Sequence, residues 1–144
     1  MNTALLLVED NEDDVFLMRR ALTRAGLVNP LHVVSDGEQA VNYLSGRDRF
    51  RDRAAFPLPG LVFLDLKLPR KSGHDVLRWV RQQEALRSLV VVVLTSSDQP
   101  SDIAQSYRLG ANSYLTKPPT VEQLLDLAKA FRLDWLEFRK LAPT

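Results

Sequence analysis

The chain has 144 residues, the size of one ordinary domain, and its 45% hydrophobic and 26% charged content argues against disorder, collagen-like repeats and a charge-dominated tail. Nineteen basic against 18 acidic residues leave a formal charge of +1, so nothing global pulls it toward nucleic acid or an anionic membrane. The absence of cysteine excludes a disulfide framework, thiolate metal ligands and a cysteine nucleophile, and it fits a reducing cytoplasm.

The longest apolar stretches, Ala4 to Val8 and Leu89 to Leu94, fall far short of the roughly 18 residues a membrane span requires. A signal peptide's basic start and small-residue cleavage site are missing too, so a cytoplasmic protein is expected, organised as one domain over 1–144. Ala4 to Val8 reads as the first strand. Its apolar residues are consecutive rather than alternating, the pattern of a strand buried on both faces of a parallel sheet. A helix follows with Val15, Met18, Leu22 and Ala25 on one stripe, closed by Gly26 before Pro30. Leu31 to Val34 is the second strand, and Asp36-Gly37 opens the second helix.

The stretch from Gly46 to Gly60 is the one long irregular connection. Arg47, Arg49, Arg51 and Arg53 interleave there with Asp48 and Asp52, which reads as a solvated loop or a helix extension. Leu61 to Leu64 is the third strand, with a helix starting near Ser72 or Gly73 that carries Val76, Leu77, Val80 and Leu86. Leu89 to Leu94 is the fourth strand, and Pro100 suits the first turn of the fourth helix. Ser113 to Leu115 is the fifth strand, and a final helix is expected from Thr120 to about Lys140. The βα alternation implies an α/β fold, a doubly wound five-stranded parallel sheet in the flavodoxin-like order 2-1-3-4-5.

The chemistry-bearing residues stand at strand ends. Glu9 through Asp14 follow the first strand, Asp65 ends the third, Thr95-Ser96-Ser97 follows the fourth and Thr116-Lys117-Pro118 the fifth. Ligands of such sheets bind outside the carboxyl ends of the strands where strand order reverses. The expected order makes the first and third strands neighbours, bringing Glu9, Asp10 and Asp65 together. Three converging carboxylates repel unless a cation or shared protons intervene. Oxygen ligands without Cys or His select a hard cation, and Mg²⁺ is the natural candidate. With Lys117 and the Thr95 hydroxyl added, the set suits a carboxylate nucleophile receiving a phosphoryl group in line. Asn11 caps the first helix, and Glu12, Asp13 and Asp14 are explained by the positive end of its dipole.

Four segments, Leu5-Leu-Leu-Val-Glu-Asp-Asn11, Leu64-Asp-Leu-Lys-Leu-Pro-Arg-Lys-Ser-Gly73, Val93-Leu-Thr-Ser96 and Leu109-Gly-Ala-Asn-Ser-Tyr-Leu-Thr-Lys-Pro118, closely resemble the receiver domain of two-component response regulators. The resemblance runs from Leu5 to about Ala130. It implies that Asp65 accepts the phosphoryl group and that Glu9 and Asp10, with Asp65 and the backbone carbonyl of Lys67, hold Mg²⁺. It further implies that Lys117 contacts the phosphoryl group, that Thr95 and Tyr114 form the switch pair, and that the Lys117–Pro118 peptide is cis. The output would be a binding surface on the fourth helix, fifth strand and fifth helix. Glu9 stands where the family more often has Asp, while Lys67 and Ser97 occupy positions that tune the access of water.

Three features resemble, more narrowly, the stand-alone regulators partnered with bacterial phytochrome histidine kinases: the final helix with its Trp, the arginine-containing insertion and the Asn112 to Pro118 stretch. The partner implied is a sensor histidine kinase, such as a bacteriophytochrome, with no nucleic acid or membrane. No output domain follows the fifth helix before Thr144, so the output is expected through the domain's own surface. The final helix carries more apolar residues than one core-facing stripe can hold, which makes a homodimer through Phe131, Trp135 and Phe138 the preferred expectation. Phe16, opposite the apolar stripe of the first helix, is a candidate contact for a kinase helix. His32 and His74 read as structural.

Other readings stay open on the residues alone. A Mg²⁺-dependent aspartyl phosphatase would want Asp two positions after its nucleophile, where Lys67 stands. A flavin-binding protein of this topology would want a phosphate loop where Glu9 to Asp14 would repel the phosphate. A receiver-like dimeric scaffold that is not phosphorylated would keep the fold and lose only the chemistry.

Overall fold

A computed structural model describes residues 3–96 and 99–138. Ser97 lies outside the described residues. In chain order they form β1 (Leu5–Val8), α1 (Glu12–Arg24), β2 (Leu31–Val34), α2 (Gly37–Ser45), β3 (Leu61–Leu64), α3 (Gly73–Gln82), β4 (Val90–Thr95), α4 (Pro100–Arg108), β5 (Ser113–Thr116) and α5 (Val121–Ala130). The sheet is parallel, in the order β2-β1-β3-β4-β5. No helix among the described residues is long and apolar enough to cross a membrane.

The unbroken apolar strands are buried on both faces, as parallel strands under two helical layers must be. Side chains alternate across β1: Leu6 and Val8 join Tyr43, Leu44, Val76, Leu77 and Val80 on one face, while Leu5 and Leu7 join Met18, Leu22, Leu124 and Leu127 on the other. Thus α2, α3 and part of α4 cover one face, and α1 and α5 the other. Side-chain oxygens of Asn11, Asp36, Ser72 and Thr120 cap the starts of α1, α2, α3 and α5, and Pro100 opens α4.

The final helix is much shorter than its apolar sequence suggests. It ends at Ala130, where Arg132 adopts φ 51°, with its N–H on the Lys129 carbonyl and that of Leu133 on the Ala128 carbonyl. This paired-bond ending also closes α1, α2 and α4, with Gly26, Gly46 and Gly110 at the left-handed position. In α5 an arginine occupies that position, so no glycine announces the stop. Beyond it the chain turns back over its own sheet. Leu133 and Leu136 are buried, and Phe131, Trp135 and Phe138 pack half-buried against the α1–α5 core. The apolar surplus expected to seek a second copy is therefore largely covered within the chain.

Asn29 ties this segment down, donating from Nδ2 to the carbonyls of Thr3 (2.9 Å) and Trp135 (3.1 Å) and accepting at Oδ1 from the Glu137 N–H (2.7 Å). The Val28 N–H reaches the Glu137 carbonyl at 2.8 Å, and Leu27 bridges Phe138. A Cβ on Gly60 would lie 2.8 Å from the Trp135 ring, so that position admits only hydrogen beneath the indole.

The 46–60 connection is not a solvated loop throughout. Arg53 turns inward and donates to the Tyr43 (2.8 Å), Leu44 (3.0 Å) and Phe56 (3.1 Å) carbonyls, serving the orphan acceptors at the end of α2. Phe50 is buried beside Tyr43, and Phe56 and His32 complete an aromatic cluster. Arg47, Arg49 and Arg51 remain exposed, Arg49 lying 4.5 Å over the Phe50 ring. His74 reaches Ser106 Oγ at 3.1 Å, joining α3 to α4.

Candidate phosphoacceptor and metal site

Register builds the site. Val8 pairs with Leu64, so the next residues along, Glu9 and Asp65, emerge side by side. The Glu9 N–H bonds the Val34 carbonyl (3.0 Å) and the Asp65 N–H the Val8 carbonyl (3.1 Å), which extends both ladders by one residue and holds the acids rigidly. Behind Asp65 the chain returns so closely that a Cβ on Gly73 would lie 2.2 Å from the Asp65 carbonyl oxygen. Thr95 ends β4 almost fully buried, and its carbonyl accepts from the Lys117 N–H at 3.1 Å, placing Lys117 just past β5.

Glu9 and Asp65 are buried and Asp10 is exposed, yet one carboxylate oxygen from each lies within 4.8 Å of the others. Three hard oxygens at that spacing, two of them desolvated, fit a Mg²⁺-like cation. Asp65 Oδ1 lies 3.4 Å from the Lys67 N–H, and the Lys67 side chain is exposed. From the opposite side Lys117 Nζ donates to Glu9 Oε1 (2.6 Å), Asp14 Oδ2 (2.8 Å) and Asp65 Oδ2 (3.3 Å). Burial pushes the Glu9 carboxyl up to about 7; the Lys117 hydrogen bond opposes this and the charge of Asp65 adds to it. Burial alone would lower the Lys117 ammonium, but its bonds to Asp14 and Glu9 outweigh that and hold it above the ordinary lysine range.

The structure thus brings together Glu9, Asp10, Asp65 and Lys117, with Thr95 at the neighbouring strand end. Tyr114 lies half-buried on β5 against the core cluster of α2 and α3. Lys117–Pro118 is cis, as expected. Asp14 is the member sequence reasoning missed. Its place in the first turn of α1 already had an explanation in the helix dipole, and only three-dimensional geometry reveals its bond to Lys117.

Parallel αβ architecture with an acid cluster at the strand ends defines a receiver-type site, and residues 5–129 match the family model for the response regulator receiver domain. The chain belongs to that family. Response regulator Rcp1 of Synechocystis sp. (strain ATCC 27184 / PCC 6803 / Kazusa) is 35% identical over 92% of this chain and 88% of its own. The "Probable methanogenesis regulatory protein FilR2" of Methanothrix harundinacea (strain 6Ac) is 37% identical over 94% of this chain and 85% of its own.

Among solved structures, the bacteriophytochrome response regulator AtBRR superposes with a TM-score of 0.83 at 34% identity, covering 99% of both chains. The Mn²⁺-bound form of Rcp1 gives 0.74 at 33% identity, covering 98% of this chain and 99% of that one. The phosphorylated cyanobacterial phytochrome response regulator RcpA gives 0.76 at 33% identity, covering 99% of this chain and 100% of that one. The chain is therefore a receiver domain related to phytochrome response regulators, a signalling protein rather than an ordinary enzyme.

Proposed function

We propose that this receiver domain takes a phosphoryl group from a sensor histidine kinase onto Asp65 with Mg²⁺ bound, and that phosphorylation switches its α4–β5–α5 surface through Thr95 and Tyr114. The observation that carries this reading is the convergence of Glu9, Asp10 and Asp65 oxygens within 4.8 Å, with Lys117 Nζ 3.3 Å from Asp65 Oδ2. Glu9, Asp10, Asp65 and the Lys67 backbone carbonyl are the proposed metal ligands. A cation held there supplies positive charge that neutralises the phosphoryl oxygens and orients them.

An Asp65 carboxylate oxygen forms the new bond to phosphorus as the phosphorus–nitrogen bond to the kinase histidine breaks, the electron pair leaving on the imidazole. Lys117 then gives one of its N–H groups to a phosphoryl oxygen, and the Thr95 hydroxyl turns to another. Tyr114 follows toward the space Thr95 vacates, changing the outer surface of β5. Hydrolysis of the acyl phosphate returns the carboxylate, with the exposed Lys67 side chain beside the path of water. Phe16, 64% exposed, and the neighbouring Leu17 lie on α1 beside this site and offer an apolar contact to a kinase helix.

The phytochrome relationship of RcpA and AtBRR supports a bacteriophytochrome as donor, and a cytoplasmic setting is proposed with it. A homodimer is the proposed assembly, using the remaining exposed edges of Phe131, Trp135 and Phe138, although the contact is smaller than a free helix would provide. The donor is tested by mixing the protein with a radiolabelled, autophosphorylated bacteriophytochrome kinase. Label should move to the wild type and not to Asp65→Asn; retention of all label on the kinase would contradict the assigned donor.

A further inference from the structure

Lys117 uses all three of its N–H donors on carboxylates, and one of the three, Asp14, is neither phosphoacceptor nor proposed metal ligand. Asp14 sits in the first turn of α1, its own N–H held by Asn11 Oδ1 at 3.0 Å, so its carboxylate is aimed by the helix start. The Lys117 side chain is 15% exposed and that of Asp14 30%, which makes this a partly desolvated ion pair on the outer flank of the site. The other two partners, Glu9 and Asp65, offer the lysine oxygens that belong to the cluster a cation would occupy. Glu9 is committed at both oxygens, Oε1 to Lys117 and Oε2 to the Asn11 N–H at 3.2 Å. Lysine and divalent cation therefore compete for one set of carboxylates.

We propose that Asp14 is a positioning residue for Lys117: it draws the ammonium to the flank of the site so that a divalent cation can take Glu9, Asp10 and Asp65 with the lysine still in place. The inference rests on the phosphoacceptor reading for its purpose but not for its test. Without the Asp14 charge, Lys117 settles more fully on Glu9 and Asp65 as an internal counter-ion, and the cation must displace it. Loss of one negative charge near the cluster acts in the same direction, so the sign is unambiguous.

The test is Mg²⁺ binding by calorimetry, without any phosphoryl donor, for wild type, Asp14→Asn, Asp14→Glu, Lys117→Met and the Asp14→Asn/Lys117→Met double variant. Asp14→Asn should weaken binding about fivefold, Asp14→Glu should restore most of it, and in the Lys117→Met background the effect should shrink below about twofold and vanish at high salt. An equal loss in both backgrounds, or none in the first, overturns the proposal. Failure of the wild type to take a phosphoryl group from an acyl phosphate would instead remove the phosphoacceptor reading and leave the cation result standing.

Discussion

In the absence of divalent cations, the protein should lose stability as pH rises through about 7, and Mg²⁺ should return it. The Glu9 carboxyl sits at about 7 in the folded state against 4.5 for the ordinary group, because burial and the adjacent Asp65 disfavour its charge. Between those values the folded state binds the extra proton, so Glu9's contribution is fully present below about pH 4.5 and is lost as pH rises through its folded value. The loss is on the order of 2–3 kcal/mol, the size to which such a shift corresponds. Mg²⁺ at about one hundred times its dissociation constant should add roughly 2.7 kcal/mol.

His32, whose burial lowers its pKa, acts with the opposite sign: its contribution is present above the ordinary histidine value and is lost as pH falls below it. The informative quantity is therefore the difference between wild type and Glu9→Gln, measured by urea unfolding at about pH 5 and pH 8 with and without Mg²⁺. The variant should be relatively more stable at the higher pH and should respond less to the cation. Parallel pH profiles for the two proteins would contradict this account of the acid cluster.

Asn29→Ala should cost about 2–3 kcal/mol, a large effect for one polar side chain outside the functional site. Its three hydrogen bonds join the chain before β1 and the segment beyond α5, and Asn29 is only 7% exposed. Removing the amide leaves the Glu137 N–H and the Thr3 and Trp135 carbonyls short of partners in a partly buried setting. It also loosens the cover that Leu133, Trp135 and Leu136 place over the α1–α5 face. The midpoint of urea unfolding should fall with little change of slope, and hydrogen exchange at the Glu137 amide should quicken more than exchange in β3. A cost below about 0.5 kcal/mol, with protection at Glu137 unchanged, would show that apolar packing alone holds the segment.

The contrast between α5 and the rest of the fold explains how far the sequence could be read. β3 begins and ends where its consecutive apolar residues do, β2 covers the expected Leu31 to Val34, and the α1 stripe of Val15, Met18, Leu22 and Ala25 faces the core. β4 starts one residue later than its apolar run and continues through Thr95, since a threonine at the strand end still pairs, here with Thr116. The stop of α5 was invisible because Arg132 takes a left-handed conformation that sequence rules assign to Gly or Asn. In sequence, the turned-back segment reads as a continuation of the helix with an unpartnered apolar face, whereas the helix ends at Ala130. Within the site, Glu9, Asp10, Asp65 and Lys117 were legible because strand order alone places them together. Asp14 and Arg53 were not, since long-range side-chain bonds leave no local pattern: each could be read as an ordinary surface charge.

The most direct test of the central claim is incubation with a small acyl phosphate and Mg²⁺, followed by intact-mass measurement of wild type and Asp65→Asn. One phosphoryl adduct on the wild type, absent without Mg²⁺ and absent from Asp65→Asn, is the expected result. No adduct on the wild type, or an undiminished adduct on Asp65→Asn, would contradict the assignment of Asp65 as the phosphoacceptor.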